Sequence, residues 1–341
     1  MPITISDIAK LANVSKSAVS IVLNNKTGVS ERTRKIILET ISKYNYQPNH
    51  LAKSLASKET KSIGLIIKEI DNPYSAKVMK GVFDKCSELG YSVLLGSSEL
   101  SNEKETQIIN ALRSKRVDGI IIAPLQNFAS DSLYLSNLIN DKFPFVILGK
   151  NENVKINSVD INNVKAAYDA VTYLIKLGHK KILHIAGPSH SGHGEKRIEG
   201  YKLALSENNI PIKPNYIIST EPYTINGYLV GKKILNKGFT IPTAVFCYND
   251  LLAIGLINSL LESGIKVPED ISIVGFDNID FGKYLKIPLT TVQMPAYKIG
   301  QEAANLLVRQ ISNDSKPINK RVVLKHKLIK RSSCTTVRNK N

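Results

Sequence analysis

The chain has 341 residues, 43% of them hydrophobic, and a net charge of +17; this supports two or three domains with real cores and excludes a disordered polyelectrolyte. Cys86, Cys247 and Cys334 are few, odd in number and far apart, which argues against a disulfide framework or clustered metal ligands and predicts a reducing, cytoplasmic compartment. No cationic leader opens the chain and no run of about eighteen apolar residues occurs, so neither secretion nor a membrane partner is expected.

The charge is uneven: residues 1–60 carry 9 Lys/Arg against 4 Asp/Glu and residues 316–341 carry 9 against none, leaving +3 for residues 61–315. A basic head suits phosphate contacts, and the basic tail reads as a solvated strand. Thr4 to Ala12 reads as a short helix, with Thr4 and Asp7 placed like a capping box and Ile5, Ile8, Ala9 and Ala12 facing inward. Asn13-Val14 is a tight turn, and Ser15 caps a second helix to Asn24. There Ala18, Val19, Val22 and Leu23 form the apolar stripe, leaving Lys16, Ser17, Ser20 and Ile21 on the outer side. Two short helices joined this way match a helix-turn-helix whose second helix enters the DNA major groove. Ser30 caps a third helix to about Tyr44, with Ile36, Ile37 and Ile41 inward.

Thr-Ile-x-Asp-Ile-Ala-x-x-Ala-x-Val-Ser-x-x-x-Val-Ser-x-Val-Leu-Asn from Thr4 to Asn24 resembles the opening of the lactose/galactose repressor (LacI-type) family of transcription regulators. Val29-Ser30-Glu31-Arg32-Thr33-Arg34, Tyr46-Gln47-Pro48-Asn49 and Ala52-Lys53-Ser54-Leu55 continue the likeness. The resemblance implies base reading by Lys16, Ser17, Ser20 and Ile21, with Thr4, Arg32, Tyr46, Asn49 and Lys53 as backbone or hinge contacts. Pro48 to Ser57 is one short helix, marginal alone, that orders when DNA or a partner subunit adds contacts. By the same resemblance Leu55 wedges into the minor groove; a plain linker with a core-packed leucine is the alternative. Ile21 stands where many members carry a polar base reader, which suggests an apolar contact to a thymine methyl.

From Lys61 apolar runs alternate with amphipathic helices: Ile63–Ile67, Val93–Leu95, Gly119–Ala123, Phe145–Leu148, Ile182–Ala186, Ala244–Cys247 and Ile271–Gly275 read as buried parallel strands of an α/β fold. The series restarts near Asn157–Asp160, so two lobes are expected, as in the two-lobed periplasmic-binding-protein-like (type I) core that the resemblance implies. The predicted layout is an all-α head at 1–47, a hinge at 48–60, and a core at 61–341. Lobe 1 takes about 61–160 and 291–319, and lobe 2 about 161–290 and 320–341.

In open α/β sheets ligands bind beyond the carboxyl ends of the strands. Asn72, Tyr74, Asp160, Arg197, the Asn249-Asp250 pair and Asp277 all fall there. Carboxylates, amides and a guanidinium suit paired hydroxyls, and Tyr74 or Tyr223 can stack on a ring, so a sugar is the expected effector. Structural readings stand beside these: Asn72 and Asn249 also look like helix N-caps, and Asp160 and Asp277 can satisfy loop amides. The resemblance favours effector contact for Arg197, Asn249 and Asp277. One departure is Asn162-Asn163-Val164-Lys165-Ala166-Ala167 in place of the family's Asp-Asn-x-x-Gly-Ala.

His190, His193 and Glu195 lack the ligand count of a metal site, and Gly192-His-Gly194-Glu-Lys-Arg197 has arginine where a dinucleotide loop needs its third glycine. No Gly-x-Ser-x-Gly, Walker or His-Glu-x-x-His sequence is present. No catalytic residue, metal or cofactor is expected. The reading is a homodimeric regulator that represses at a near-palindromic double-stranded DNA operator and answers to a small polar effector. A carbon-catabolite-type protein co-effector and a sugar receptor without DNA function are the alternatives.

Overall fold

Residues 3–46, 59–124, 133–149, 156–188, 191–312 and 319–337 are described by a computed structural model of the chain. The expected hinge helix, with Asn49, Lys53 and Leu55, and the His190 position lie outside these residues. Residues 1–61 and 62–341 form two separate units.

The first unit holds three helices, α1 (Ile5–Leu11), α2 (Lys16–Leu23) and α3 (Glu31–Lys43). Each starts on a side-chain oxygen: Thr4 with Asp7 as a full capping box, then Ser15 and Ser30. Such caps satisfy first-turn amides that have no intrahelical partner. Asn13, at φ 52°, makes the left-handed turn between α1 and α2. Ile8, Ala9, Ala12, Val19, Val22, Ile37 and Tyr46 pack as the core. Ile36, expected inward, is 40% exposed. It lies one helical step from Ile37, and so narrow a bundle buries a single row of α3.

The second unit contains two six-stranded sheets. The first is built from β1 (Ser62–Ile67), β2 (Ser92–Ser97), β3 (Gly119–Ile122), β4 (Phe145–Leu148), β5 (Ser158–Ile161) and β11 (Arg321–Leu324), in the order β11-β5-β4-β3-β1-β2 and parallel throughout. The second uses β6 (Ile182–Ala186), β7 (Ile217–Ser219), β8 (Ala244–Cys247), β9 (Ser272–Asp277), β10 (Thr290–Gln293) and β12 (Lys327–Ile329), in the order β12-β10-β9-β8-β6-β7, with β12 alone antiparallel. Helices α4 (Pro73–Glu88), α5 (Asn102–Ser114), α6 (Leu133–Asn140) and α11 (Ala296–Ser312) belong with the first sheet. Helices α7 (Asn163–Lys176), α8 (Gly192–Glu207), α9 (Thr224–Ile234) and α10 (Asp250–Glu262) belong with the second.

Three expectations need correction. The Val93–Leu95 run is an edge strand whose Leu94 and Leu95 are 37% and 38% exposed; an apolar run marks a strand without saying whether a neighbour covers it. Thr290–Gln293 pairs with β9 and so belongs to lobe 2, whereas Arg321–Leu324 pairs with β5 and belongs to lobe 1. The chain therefore passes between lobes after β5, at 294–295 and at 325–326. A returning segment joins whichever sheet edge is open beside it, and sequence alone does not mark that edge.

Lobe 1 is clamped by the crossing of α4 on α11, where a Cβ added at Gly81 would collide with the Tyr297 carbonyl and one at Gly300 with that of Val78. The backbones pack with nothing between them. Gly81→Ala should force this crossing apart and cost about 1–3 kcal/mol, the range for overpacking a tight contact; urea denaturation reads it, and an unchanged midpoint would show that the crossing is compliant.

Candidate DNA-binding head and effector cleft

On the head, the capped start of α2 presents Lys16 and Ser17 to solvent. Ser15 Oγ accepts from the Ala18 amide at 3.1 Å and lies 2.8 Å from Ser17 Oγ. Ser20 is half-buried, and the Asn24 amide donates to its carbonyl at 2.8 Å. Ile21 is half-buried too, lying along the Gly28 turn. Arg32 is exposed at the start of α3. Thr4 is exposed, but its hydroxyl donates to Asp7 Oδ2 at 2.7 Å, and this cap holds the Asp7 carboxyl below its usual range. Tyr46 is only 9% exposed and sits in the head core. Of the head candidates, Lys16 and Ser17 for base reading and Thr4 and Arg32 for backbone contact are thus exposed.

In the second unit a cavity of about 110 Å³ opens between the lobes at the carboxyl ends of the strands. Asn72, Tyr74, Asp160, Arg197, Asn249 and Asp277 all line it. Tyr223, 39% exposed, hydrogen-bonds Glu69 from the opposite lobe.

Arg197 is the centre of the site, 3% exposed on α8. Its Nε donates to Asn163 Oδ1 at 3.2 Å and one terminal nitrogen to the Tyr248 carbonyl; the other lies 3.7 Å from Met294 Sδ. The guanidinium carbon stands 3.6 Å from the Phe276 ring centroid and 4.4 Å from that of Tyr248. Aromatic faces compensate the positive charge where water is excluded.

Two carboxyl groups of the cavity, Asp277 and Glu69, are shifted by burial. Asp160, 6% exposed, accepts from Asn163 Nδ2 at 3.2 Å. Asp277 is pushed up to about 8, chiefly by burial and further by Asp250, against the pull of Arg197 and Lys77. Its φ of 109° is a backbone state that L-residues rarely adopt, and strain of this kind collects at functional sites. Burial also raises Glu69, which hydrogen bonds from Tyr223 and Asn72 partly offset, and it lifts the Tyr74 phenol far above its usual value.

Asn72 and Asn249 take their structural readings. Asn72 Oδ1 caps α4 at the Tyr74 amide, 3.0 Å away. Asn249 Oδ1 caps α10 at the Leu252 amide, 2.8 Å, while its Nδ2 donates to the Pro222 carbonyl, also 2.8 Å. Both face the cavity, but the side-chain oxygens already serve helix caps.

Several further residues of the site were not among the effector contacts expected from sequence. Asn163 ties Asp160 to Arg197, so the altered motif at α7 still supplies a polar bridge. Asp250, fully buried, accepts from Thr291 Oγ1 at 2.6 Å and from the Ile279 amide at 2.8 Å, fixing the turn that carries Asp277. Glu69, Tyr248, His193 and Met294 also line the cavity. Asp250 was signalled by its pairing with Asn249, Asn163 by the altered motif and His193 by the histidine loop, whereas tertiary contacts select Glu69, Tyr248 and Met294. Among the described residues no group of three or more His, Cys, Asp or Glu is placed to hold a metal ion, and no helix is long and apolar enough to cross a membrane.

The family description "Bacterial regulatory proteins, lacI family" matches residues 4–49, and "Periplasmic binding protein-like domain" matches residues 171–334. The HTH-type transcriptional repressor PurR of Haemophilus influenzae (strain PittEE) is 33% identical over 336 residues, covering 98% of this chain and 99% of that protein. The lac repressor dimer bound to operator and the anti-inducer ONPF superposes with a TM-score of 0.88 at 28% identity, over 98% of this chain and 100% of that one. A complex of the transcriptional regulator CelR with cellobiose gives 0.73 at 28% identity, over 97% and 99%.

Burial lifts Asp250 from 3.8 to about 7 against the pull of Thr291, the Ile279 and Asn278 amides and Arg331. The unfolded chain releases this proton near pH 4 and the folded core near pH 7, so the group's contribution is full below pH 4 and is lost as the pH rises to 7. Asp250→Asn should flatten that decline in urea titrations from pH 4 to 7.5. It should also cost about 1–3 kcal/mol, because an amide N–H now meets a buried donor. An unaltered pH slope would show that Asp250 does not titrate as placed.

Proposed function

The chain is a DNA-binding transcription regulator belonging to the lacI family of bacterial regulatory proteins, and from that premise we propose that it works as a cytoplasmic homodimeric repressor, without enzymatic activity, whose operator affinity is set by a small polyhydroxylated effector in the cleft. The observation that carries the reading is the pairing of two features in one chain: a capped helix displaying Lys16 and Ser17, and an interlobe cavity built around Arg197.

Two heads on one operator require a dimer, and the core offers apolar surface for it. Ile225, Leu229, Phe281 and Tyr284 of lobe 2 are 59%, 56%, 45% and 76% exposed, and Phe83, Leu94 and Leu95 of lobe 1 are less so, at 40%, 37% and 38%. Exposed apolar area on this scale favours a protein interface. The sugar reading rests on cavity chemistry: a guanidinium, carboxylates and tyrosines spaced for hydroxyls and a ring face. The cellobiose complex of CelR supports that class. Lobe closure around such a ligand changes the core's preferred arrangement, and the expected hinge at 48–60 carries the change toward DNA, with Asn49, Lys53 and Leu55 as its hinge contacts.

Selection of bound sequences from random duplexes at two salt concentrations should recover a near-palindrome. Lys16→Ala should then relax one base position at a cost of about 1–3 kcal/mol, Arg32→Ala should reduce the log-salt slope by about 1, and Leu55→Ala should weaken binding to the palindrome. Added cellobiose or ribose tests effector control of the same complex. Recovery of nothing beyond salt-labile, sequence-blind binding, with and without these sugars, would overturn the repressor reading.

A further inference from the structure

Lys77 of α4 belongs to lobe 1, yet among the described residues both acceptors of its ammonium lie in lobe 2. Its Nζ donates to Asp280 Oδ1 at 2.9 Å and to the Asn278 carbonyl at 3.2 Å. Helical spacing explains the reach. Lys77 stands three residues after Tyr74 on the same face of α4, so it leaves the helix just beyond the part of the cavity that Tyr74 lines. Its side chain is 34% exposed.

The receiving turn is held firmly by its own lobe. Asp277 and Asn278 follow one another at φ 109° and 55°, two left-handed residues that bend the chain sharply after β9. Asn278 Oδ1 accepts from Arg331 at 2.7 Å, and the Ile279 amide donates to Asp250 Oδ2 at 2.8 Å. The turn is therefore rigid with respect to lobe 2, and the Asn278 carbonyl and Asp280 carboxylate meet a donor that arrives from lobe 1.

We propose that Lys77 is an interlobe clasp: its ammonium ties the start of α4 to the turn that carries Asp277, and its release opens the cleft. The clasp couples two cavity-lining residues, Tyr74 from one lobe and Asp277 from the other, through a side chain that does not line the cavity. For its consequence it rests on the reading of that cavity as the effector cleft, since an occupant between Tyr74 and Asp277 is retained longer while the clasp is made. The two arms are unequal. Asp280 is 76% exposed, so water and salt screen its ion pair, and removing that arm alone should raise the open-to-closed ratio only about twofold. The carbonyl arm is part-buried and bonds a charged donor, so removing the ammonium, and with it both arms, should raise the ratio about fivefold.

A thiol on the cleft wall tests this without any effector. Val159 lines the cavity at 1% exposure, and Val159→Cys in the full chain places a reporter there. A maleimide too bulky for a cavity of about 110 Å³ reaches it only in opened molecules, so site-resolved labelling followed by mass spectrometry reads even rare opening. Cys86 on α4 and Cys247 on β8, both buried, react only when their own lobes unfold and serve as internal controls. In this background Lys77→Met, which keeps the stem without the charge, should speed labelling at position 159 about fivefold while Cys86 and Cys247 keep their rates; Asp280→Asn should speed it about twofold. Raising salt from about 0.1 to 1 M should speed labelling when Lys77 is present and leave the Lys77→Met rate unchanged. Lys77→Glu should label fastest, and adding Asp280→Lys to it should restore part of the protection, which packing of the stem alone would not do. A Lys77→Met rate equal to that of the parent, equal acceleration at Cys86 and Cys247, or no recovery in the charge-exchanged pair overturns the clasp. Failure of every sugar to affect DNA binding would leave the labelling result untouched, so the two readings fail separately.

Discussion

A buried guanidinium organises the core. Five N–H donors in a fixed fork cannot be left bare away from water, so the fold around Arg197 must supply acceptors and ring faces from several elements at once. Asn163 comes from the start of α7, the Tyr248 carbonyl from the end of β8, the Phe276 ring from β9 and Met294 from a passage between the lobes. These are the places where strands end and the two sheets face each other. Meeting the needs of one side chain thus fixes the floor of the cavity before any ligand enters. Asp250 performs the matching task on the wall, where one fully buried carboxylate binds β10 and the turn after β9 to the start of α10.

The cavity that results is only mildly charged for its composition. Burial favours the protonated form of Asp277, with its value near 8, and raises Glu69, while His193 is held neutral. A protonated carboxyl and an uncharged imidazole can each both donate and accept hydrogen bonds. This suits hydroxyls, which do both, better than a fixed ion.

Sequence made the skeleton legible and left the site half-read. Caps at Thr4, Ser15 and Ser30 and the alternation of apolar runs with amphipathic helices are local signals, and locality is why they were readable. Positions fixed by distant neighbours were not. Leu94 and Leu95 carry the pattern of a covered strand at an open edge, and Ile36 misses the head core by one helical step. Asn72 and Asn249 serve as helix caps and also line the cavity, since a residue that follows a strand and opens a helix stands at the carboxyl end of the sheet. Asn163, Tyr248 and His193 became site residues only when another element was folded against them.

The pairing of the late strands also bears on biosynthesis. β11 completes the edge of one sheet, while β12 and the residues after it complete the other: Ser333 bonds Thr290 and Ile273, Thr335 bonds Ser272, and Val337 bonds Leu177. On a ribosome the head emerges some three hundred residues before these partners do. Its three helices have a private core and can fold at once, while both lobes wait with unfinished edges. A nascent chain therefore carries a complete head core well before the last strands close the two sheets.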